Sequence, residues 1–130
     1  MMFLFSPERQ RTGLAFGLAS MLVLGTGSAM AMELDALTLN GNADAGRAVA
    51  MDRSTGNCIA CHVLPGGEAP GAIGPPLVAM QTRYPSKHAV AERVWDATVK
   101  APDAAMPPFG RHNILTEQQF VDVVEYVWGL

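Results

Sequence analysis

The stretch that decides the fold is Gly56-Asn57-Cys58-Ile59-Ala60-Cys61-His62. It contains both cysteines of the 130-residue chain, separated by two residues and followed at once by a histidine. Cys-x-x-Cys-His is the covalent attachment motif of haem c. On one helical turn the two sulfurs reach the two vinyl groups on one porphyrin edge, and the next imidazole then lies under the iron. We therefore predict one covalent haem c, attached through Cys58 and Cys61, with His62 as the proximal iron ligand.

Other uses of a cysteine pair fit this sequence less well. A disulfide between cysteines so close together would restrain little of the unfolded chain. A thioredoxin-like redox pair needs a strand that feeds a helix, and nothing around Cys58 has a strand pattern. A zinc site needs four ligands at tight spacings, and His88 and His112 lie too far from the cysteines and from each other.

The opposite face of the iron needs a sixth ligand, and methionine there favours electron transfer. Four methionines follow residue 31, namely Met32, Met51, Met80 and Met106. The first lies near the start of the predicted domain, and the second lies on the segment that leads into the cysteine turn. Met80 follows Pro76 in a predicted short helix, where a methionine belongs more often to the core.

Met106 is the predicted sixth ligand because of the loop that carries it. That loop reads Ala105-Met106-Pro107-Pro108-Phe109-Gly110, and each proline favours an extended conformation in the residue before it. A stiff loop suits a weak bond between a thioether and iron. His112 as the distal ligand and an iron with no sixth ligand are the alternatives.

The proximal histidine also needs a partner for its other ring nitrogen, since an axial histidine usually donates that N–H to a carbonyl or carboxylate. The loop Gly74-Pro75-Pro76-Leu77 follows His62 at a distance that allows it to fold back over the proximal side. We predict that the Pro75 carbonyl accepts this hydrogen bond. A plain turn before a helix would make no contact with His62.

The remaining pattern predicts an all-α fold with short helices wrapped around the haem. Asn42 is a candidate cap for a helix over 43–52, and Ser86 for one over 87–99. Gly46 within the first helix suggests a close helix crossing. Thr116 opens a capping box before the last helix, in which apolar side chains recur at helical intervals: Phe120, Val123, Val124, Val127 and Trp128.

Residues 1–31 have the parts of a secretory signal peptide. Arg9 and Arg11 precede an apolar run that is too short to span a bilayer, and the segment closes on Ala29-Met30-Ala31. We predict cleavage after Ala31, a mature domain over 32–130 and a periplasmic location, with no membrane span. An uncleaved N-terminal anchor is the alternative.

The composition of residues 32–130 limits how the domain is stabilised and what it binds. Of its 47 apolar residues 15 are alanine, so few large side chains are left to form a core. Small domains with so little core usually need a cofactor, a metal or a partner to be stable. The formal charge of this part is −4, whereas a nucleic-acid-binding domain would show a basic patch. We therefore expect haem to complete the core, and no nucleic-acid partner.

The chain resembles class I cytochromes c in the order of its features. These are a helix, Cys-x-x-Cys-His, a Gly-Pro-x-Leu loop, a Met-Pro loop and a terminal aromatic helix. In that fold the first and last helices cross near a glycine, which implies Gly46 against Tyr126 or Trp128. Met106-Pro107-Pro108-Phe109-Gly110-Arg111-His112 and Arg83-Tyr84-Pro85 narrow the resemblance to the SoxX family, the monohaem subunits of SoxAX complexes. This similarity covers about residues 44–130.

The resemblance implies a function in sulfur oxidation. A SoxA-like subunit, whose haem is ligated by cysteine, would pair with this chain, and together they would join thiosulfate to a cysteine of the carrier SoxYZ. This chain would pass the released electrons to a downstream cytochrome c. It has no second haem motif and no spare cysteine, so we expect electron transfer within an enzyme complex rather than catalysis by this chain alone.

Two other functions share the predicted haem site. A free cytochrome c that serves another oxidase or dehydrogenase would have the same ligands but no large apolar surface patch. A haem enzyme or gas sensor would keep the iron open and would not use Met106.

Overall fold

A computed structural model describes residues 32–130, which form four α-helices joined by turns and loops. The helices are α1 (Ala43–Met51), α2 (Met80–Arg83), α3 (Lys87–Trp95) and α4 (Glu117–Trp128). Short 3-10 turns cover Leu34–Ala36, Cys58–Ala60 and Ala97–Val99. No strand occurs in this part of the chain, and none of its helices is long and apolar enough to cross a membrane. The all-α prediction is confirmed, whereas the predicted signal peptide lies outside the described residues.

The crossing of α1 and α4 is the central packing contact. Gly46 is buried there, and a Cβ added to it would overlap the backbone carbonyl of Asp122 in α4. The crossing at a glycine is therefore as predicted. The nearest atoms, however, belong to Asp122 and Val123 rather than to Tyr126 or Trp128, because α1 meets α4 about one turn earlier along the helix.

Side chains from α4 also hold the start of α1 in place. The Asn42 side chain caps α1 by accepting from the Ala45 amide, as expected for this residue type. The Asn42 backbone amide in turn donates to Asp122 Oδ1 at 2.7 Å, and the Gly41 amide donates to Glu125 Oε2 at 3.3 Å. Helix α1 is thus fixed to α4 by hydrogen bonds as well as by close packing.

Helix α3 ends earlier than the sequence predicts. The apolar spacing favours a helix over 87–99, and Ser86 does cap it by accepting from the Ala89 amide. The helix stops at Trp95, however, because Asp96 is extended and its carboxylate accepts from the Thr98 amide at 2.9 Å. An aspartate that bonds nearby backbone in this way competes with helix continuation.

Helix α4 supplies the largest share of the core. Its first turn contains the predicted capping box, in which the Thr116 and Gln119 side chains each accept from the other's backbone amide. Phe120, Val123, Val124 and Val127 are buried as predicted, and Trp128 is only half-buried. Residues from α2, α3 and the loops join them in one cluster: Ile59, Leu64, Met80, Val90, Val94, Phe109 and Leu115.

Candidate haem site

The two cysteines lie on a single tight turn, as the motif requires. Asn57 precedes it in a left-handed conformation with φ of 47°, which asparagine tolerates better than most residues. Cys58–Ala60 then form a 3-10 turn, and the His62 amide donates to the Cys58 carbonyl at 2.9 Å. Both cysteines are half-buried. Burial raises the pKa of the Cys58 thiol to about 11.

A loop folds back over this turn and is joined to it by three backbone hydrogen bonds. The amides of Gly71, Gly74 and Leu77 donate to the carbonyls of Ile59, Cys61 and Val63 over 2.8–2.9 Å. Two of the donors must be glycine because the approach is close. A Cβ on Gly71 would overlap the carbonyl of Ala60, and one on Gly74 would overlap the imidazole ring of His62.

This loop places the Pro75 carbonyl beside the histidine. The carbonyl oxygen lies 2.6 Å from His62 Nδ1, which is the contact predicted from the sequence. A carbonyl can only accept, so this contact calls for a proton on Nδ1, and in that neutral tautomer the Nε2 lone pair is available to a metal ion. Arg83 of α2 fixes the next residue by donating from Nη1 to the Pro76 carbonyl at 2.6 Å. The imidazole is therefore held with one nitrogen free.

A cavity of about 760 Å³ opens beside the cysteine turn. Cys58, Cys61 and His62 line it together with Pro75 and Met106, so all five predicted site residues meet at one cavity. Most of its other walls are small or apolar side chains from the cysteine turn, α2, α3, α4 and the loops between them: Ala60, Leu77, Met80, Val90, Val94, Ala97, Ala101, Ala104, Ala105, Phe109, Leu115, Val123 and Val127. This set of groups suits haem c: two cysteine sulfurs could attach the porphyrin, and an imidazole nitrogen and a thioether sulfur could bind its iron.

Met106 and Met80 both line this cavity, but they differ in setting. Met80 is only 3% exposed, and its sulfur accepts from Arg83 Nη1 at 3.7 Å. Its expected place in the core is confirmed, although the sequence did not indicate that this part of the core is also cavity wall. Met106 is half-buried on its proline loop and has no such partner among the described hydrogen bonds.

The loop that carries Met106 is anchored just after the methionine. Phe109 is 7% exposed, and its carbonyl accepts from the amides of Ile114 and Leu115. Arg111 Nη1 donates to Asp96 Oδ2 at 2.8 Å. His112, the alternative distal ligand, is exposed and does not line the cavity.

Asp96 and Gly74 have roles in the structure that the sequence pattern does not predict. Asp96 is 2% exposed, and its carboxylate bonds both Thr98 and Arg111, which hold the pKa of Asp96 below its usual range. Aspartate within an apolar helical pattern was the available signal, because such a residue is seldom buried without partners. Gly74 belongs to the loop that was singled out, but only its closeness to the His62 ring shows why glycine is required there.

Comparisons with known proteins agree with this geometry. The family model described as cytochrome c matches residues 43–130. The crystal structure of SoxXA from P. pantotrophus is similar with a TM-score of 0.61 and 28% identity, over 68% of this chain and 80% of that chain. An uncharacterized lipoprotein of Aquifex aeolicus is 34% identical over 73 residues, which are 55% of this chain. The chain spans only 35% of the length of that relative.

Proposed function

This chain belongs to the cytochrome c family, and we propose that it is the electron-transfer subunit of a two-cytochrome complex of the SoxXA type. Family membership establishes an electron-transfer cytochrome with covalently attached haem c, to which Cys58 and Cys61 fit. The finer role rests on one observation, the likeness of this fold to the SoxXA crystal structure.

When bound, haem c supplies a one-electron iron couple whose potential depends on its axial ligands. We propose His62 as the proximal ligand through Nε2 and Met106 as the distal ligand. The Pro75 carbonyl supports this role for His62, because its contact with Nδ1 fixes both the ring orientation and the tautomer. The mainly apolar walls support it further, because they suit the apolar faces of a porphyrin.

The proposed distal ligand favours electron transfer over the binding of a substrate or gas. Met106 lines the cavity on a loop with two prolines and one buried aromatic side chain, which restrict the conformations open to it. A thioether restricted in this way would suit the proposed sixth position, where methionine favours electron transfer. An enzyme or sensor with an open iron would have no use for such a loop.

The partners follow from what this chain does not contain. Both of its cysteines belong to the attachment motif, so none is free to ligate a second haem or to carry a thiosulfate group. We propose that a SoxA-like subunit supplies the cysteine-ligated haem and that the carrier SoxYZ supplies the accepting cysteine. Electrons released as thiosulfate is joined to that cysteine would pass through this chain to a downstream cytochrome c.

The proposed site of action is the periplasm, after cleavage of residues 1–31. Covalent haem attachment to Cys-x-x-Cys-His and the charge and apolar pattern of this leader support export. N-terminal sequencing of the purified holoprotein checks this directly, and we expect a start at Met32. An intact N-terminus in a membrane fraction would instead support an anchor.

The proposal is tested by co-expressing this chain with a SoxA-like cytochrome from the same genome. We expect a stable heterodimer in which thiosulfate, in the presence of the carrier, reduces the haem of this chain. A Cys58→Ala, Cys61→Ala double variant is the matched control, because it cannot attach haem and should show no such signal. A stable monomer that binds no cytochrome partner and stays oxidised would support a free carrier instead.

A further inference from the structure

We propose that the ion pair between Arg111 and Asp96 positions the Met106 loop, so that breaking it makes Met106 easier to displace from the iron. Arg111 and Asp96 would then be positioning residues for the distal ligand. This inference rests on the proposed ligation by Met106, and it gives a role to an arginine that the sequence motif contains but the haem site does not use.

The Asp96 carboxylate is held in place by groups other than Arg111. Its carboxylate is buried, and Oδ1 accepts from both the amide and the hydroxyl of Thr98. These two bonds leave Oδ2 to accept from Arg111 Nη1 at 2.8 Å. A buried carboxylate held on one side in this way gives the guanidinium one well-defined place to bind.

The backbone beside Arg111 is attached to the same end of α3. The Arg111 amide donates to the Trp95 carbonyl at 3.3 Å, and a Cβ on Gly110 would overlap the Trp95 ring. That ring packs edge-on against Phe120, with ring centroids 5.6 Å apart and planes at 89°. Phe120 has no exposed surface, so the attachment point belongs to the rigid core.

The segment between Arg111 and Met106 is stiff, so fixing Arg111 also restricts the position of Met106. Pro107 and Pro108 have fixed φ angles, and Phe109 is buried. The Phe109 amide donates to the Pro107 carbonyl at 2.9 Å. Few torsions are therefore free between the ion pair and the methionine.

The other side of Met106 is held less firmly. Residues 101–105 make local backbone bonds, from the Ala101 amide to the Ala97 carbonyl and from the Ala104 amide to the Ala101 carbonyl. These bonds join residues only three or four positions apart, so they fix a local turn without tying it to a distant part of the chain. The position of Met106 therefore depends mainly on the anchor that follows it.

Imidazole binding to the oxidised holoprotein measures this dependence. An external ligand can bind only where Met106 has left the iron, so its apparent affinity rises with the population of the displaced loop. In Arg111→Met, which keeps an apolar stem but loses the charge, we expect imidazole to bind about threefold to tenfold more tightly, since one partner of the pair is exposed. The loss of the red-end absorption band of methionine-ligated iron reports the displacement.

Lys100→Met is the matched control, because Lys100 is also exposed, carries the same charge and does not line the cavity. We expect it to bind imidazole as the wild type does, and Arg111→Lys to restore most of the wild-type affinity. Asp96→Asn should act in the same direction as Arg111→Met, and the double variant should add little to either. Wild-type affinity in Arg111→Met, or an equal effect in Lys100→Met, would overturn the inference.

A Met106→Ala variant separates this inference from the ligation it rests on. If Met106 is the distal ligand, that variant loses the red-end band and binds imidazole without competition. If the band persists in Met106→Ala, the ligand assignment is wrong and the inference is overturned with it. If the band is lost there but Arg111→Met behaves as wild type, ligation stands and only the positioning role is overturned.

Discussion

Replacing Gly46 with alanine tests the helix crossing on which the domain depends. An added Cβ would overlap the Asp122 carbonyl and would lie 2.9 Å from the Val123 amide nitrogen. Both neighbours are backbone atoms of α4, so no side-chain rotation can make room. Helices α1 and α4 would have to move apart.

The expected cost is the balance of three effects. Alanine improves the helix propensity of α1 by about 1 kcal/mol over glycine. Overpacking that forces a backbone shift costs about 1–3 kcal/mol, and backbone overlap places Gly46→Ala near the upper end. Separation also weakens the bond from the Asn42 amide to the Asp122 carboxylate, a charge-assisted bond worth about 1.5–3 kcal/mol when fully formed. The steric terms exceed the propensity gain, and we expect a net loss of about 2–3 kcal/mol in the free energy of unfolding.

Guanidinium unfolding of the holoprotein, followed by far-UV circular dichroism, measures this loss. Gly129→Ala is the matched control, because its added Cβ would meet only ordinary contacts at 3.5 and 3.6 Å. Its φ of −78° suits alanine, so we expect a change between zero and a gain of about 1 kcal/mol. The reasoning would be refuted by a Gly46→Ala protein within about 0.5 kcal/mol of the wild type, or by an equal loss in Gly129→Ala.

Three further outcomes are expected. Met106→Ala should lower the reduction potential by on the order of 0.1 V, a fraction of the roughly 0.8 V range that axial ligands span, as measured by voltammetry; an unchanged potential would contradict the ligation. The folded-state pKa of Asp96 is lowered, so its carboxylate stabilises the protein above about pH 4 and loses that effect as the pH falls through the folded pKa. The stability difference between wild type and Asp96→Asn, measured by denaturant unfolding at several pH values, should therefore be constant from pH 5 to 7 and shrink below about pH 4; a difference that grows in acid would contradict this. The chain without haem should be largely unfolded by circular dichroism, and a cooperative helical apoprotein would contradict that expectation.

The parts of this structure that sequence reasoning predicted are those determined by local chemistry. The cysteine turn, the capping box at Thr116 and the cap at Asn42 each depend on residues within four positions of one another. The contact between His62 and Pro75 spans 13 residues, but it was also predictable, because an axial histidine needs an acceptor and the loop has the right length.

The parts that were missed depend on distant packing. Apolar spacing continues past Trp95, so periodicity alone extends α3, whereas the Asp96 side chain ends it by binding Thr98 and an arginine 15 residues away. The glycine crossing was expected one turn too late along α4, because the sequence of a helix does not show where along its length another helix meets it. Both errors concern which distant groups meet, and neither is visible in a local pattern.

The positions of the alanines in the structure also explain why the domain contains so many of them. From the sequence alone, the many alanines predict a small core, because they take the place of larger apolar side chains. In the structure, the cavity beside the cysteine turn is lined by Ala60, Ala97, Ala101, Ala104 and Ala105, whereas Phe120, Val121 and Val124 of α4 belong to the core cluster and do not line it. Small side chains leave room for a large flat group to lie against the helices, and large ones would fill that room. With haem in this cavity as proposed, the residues that make the isolated chain poor in core would be the same ones that make room for the cofactor.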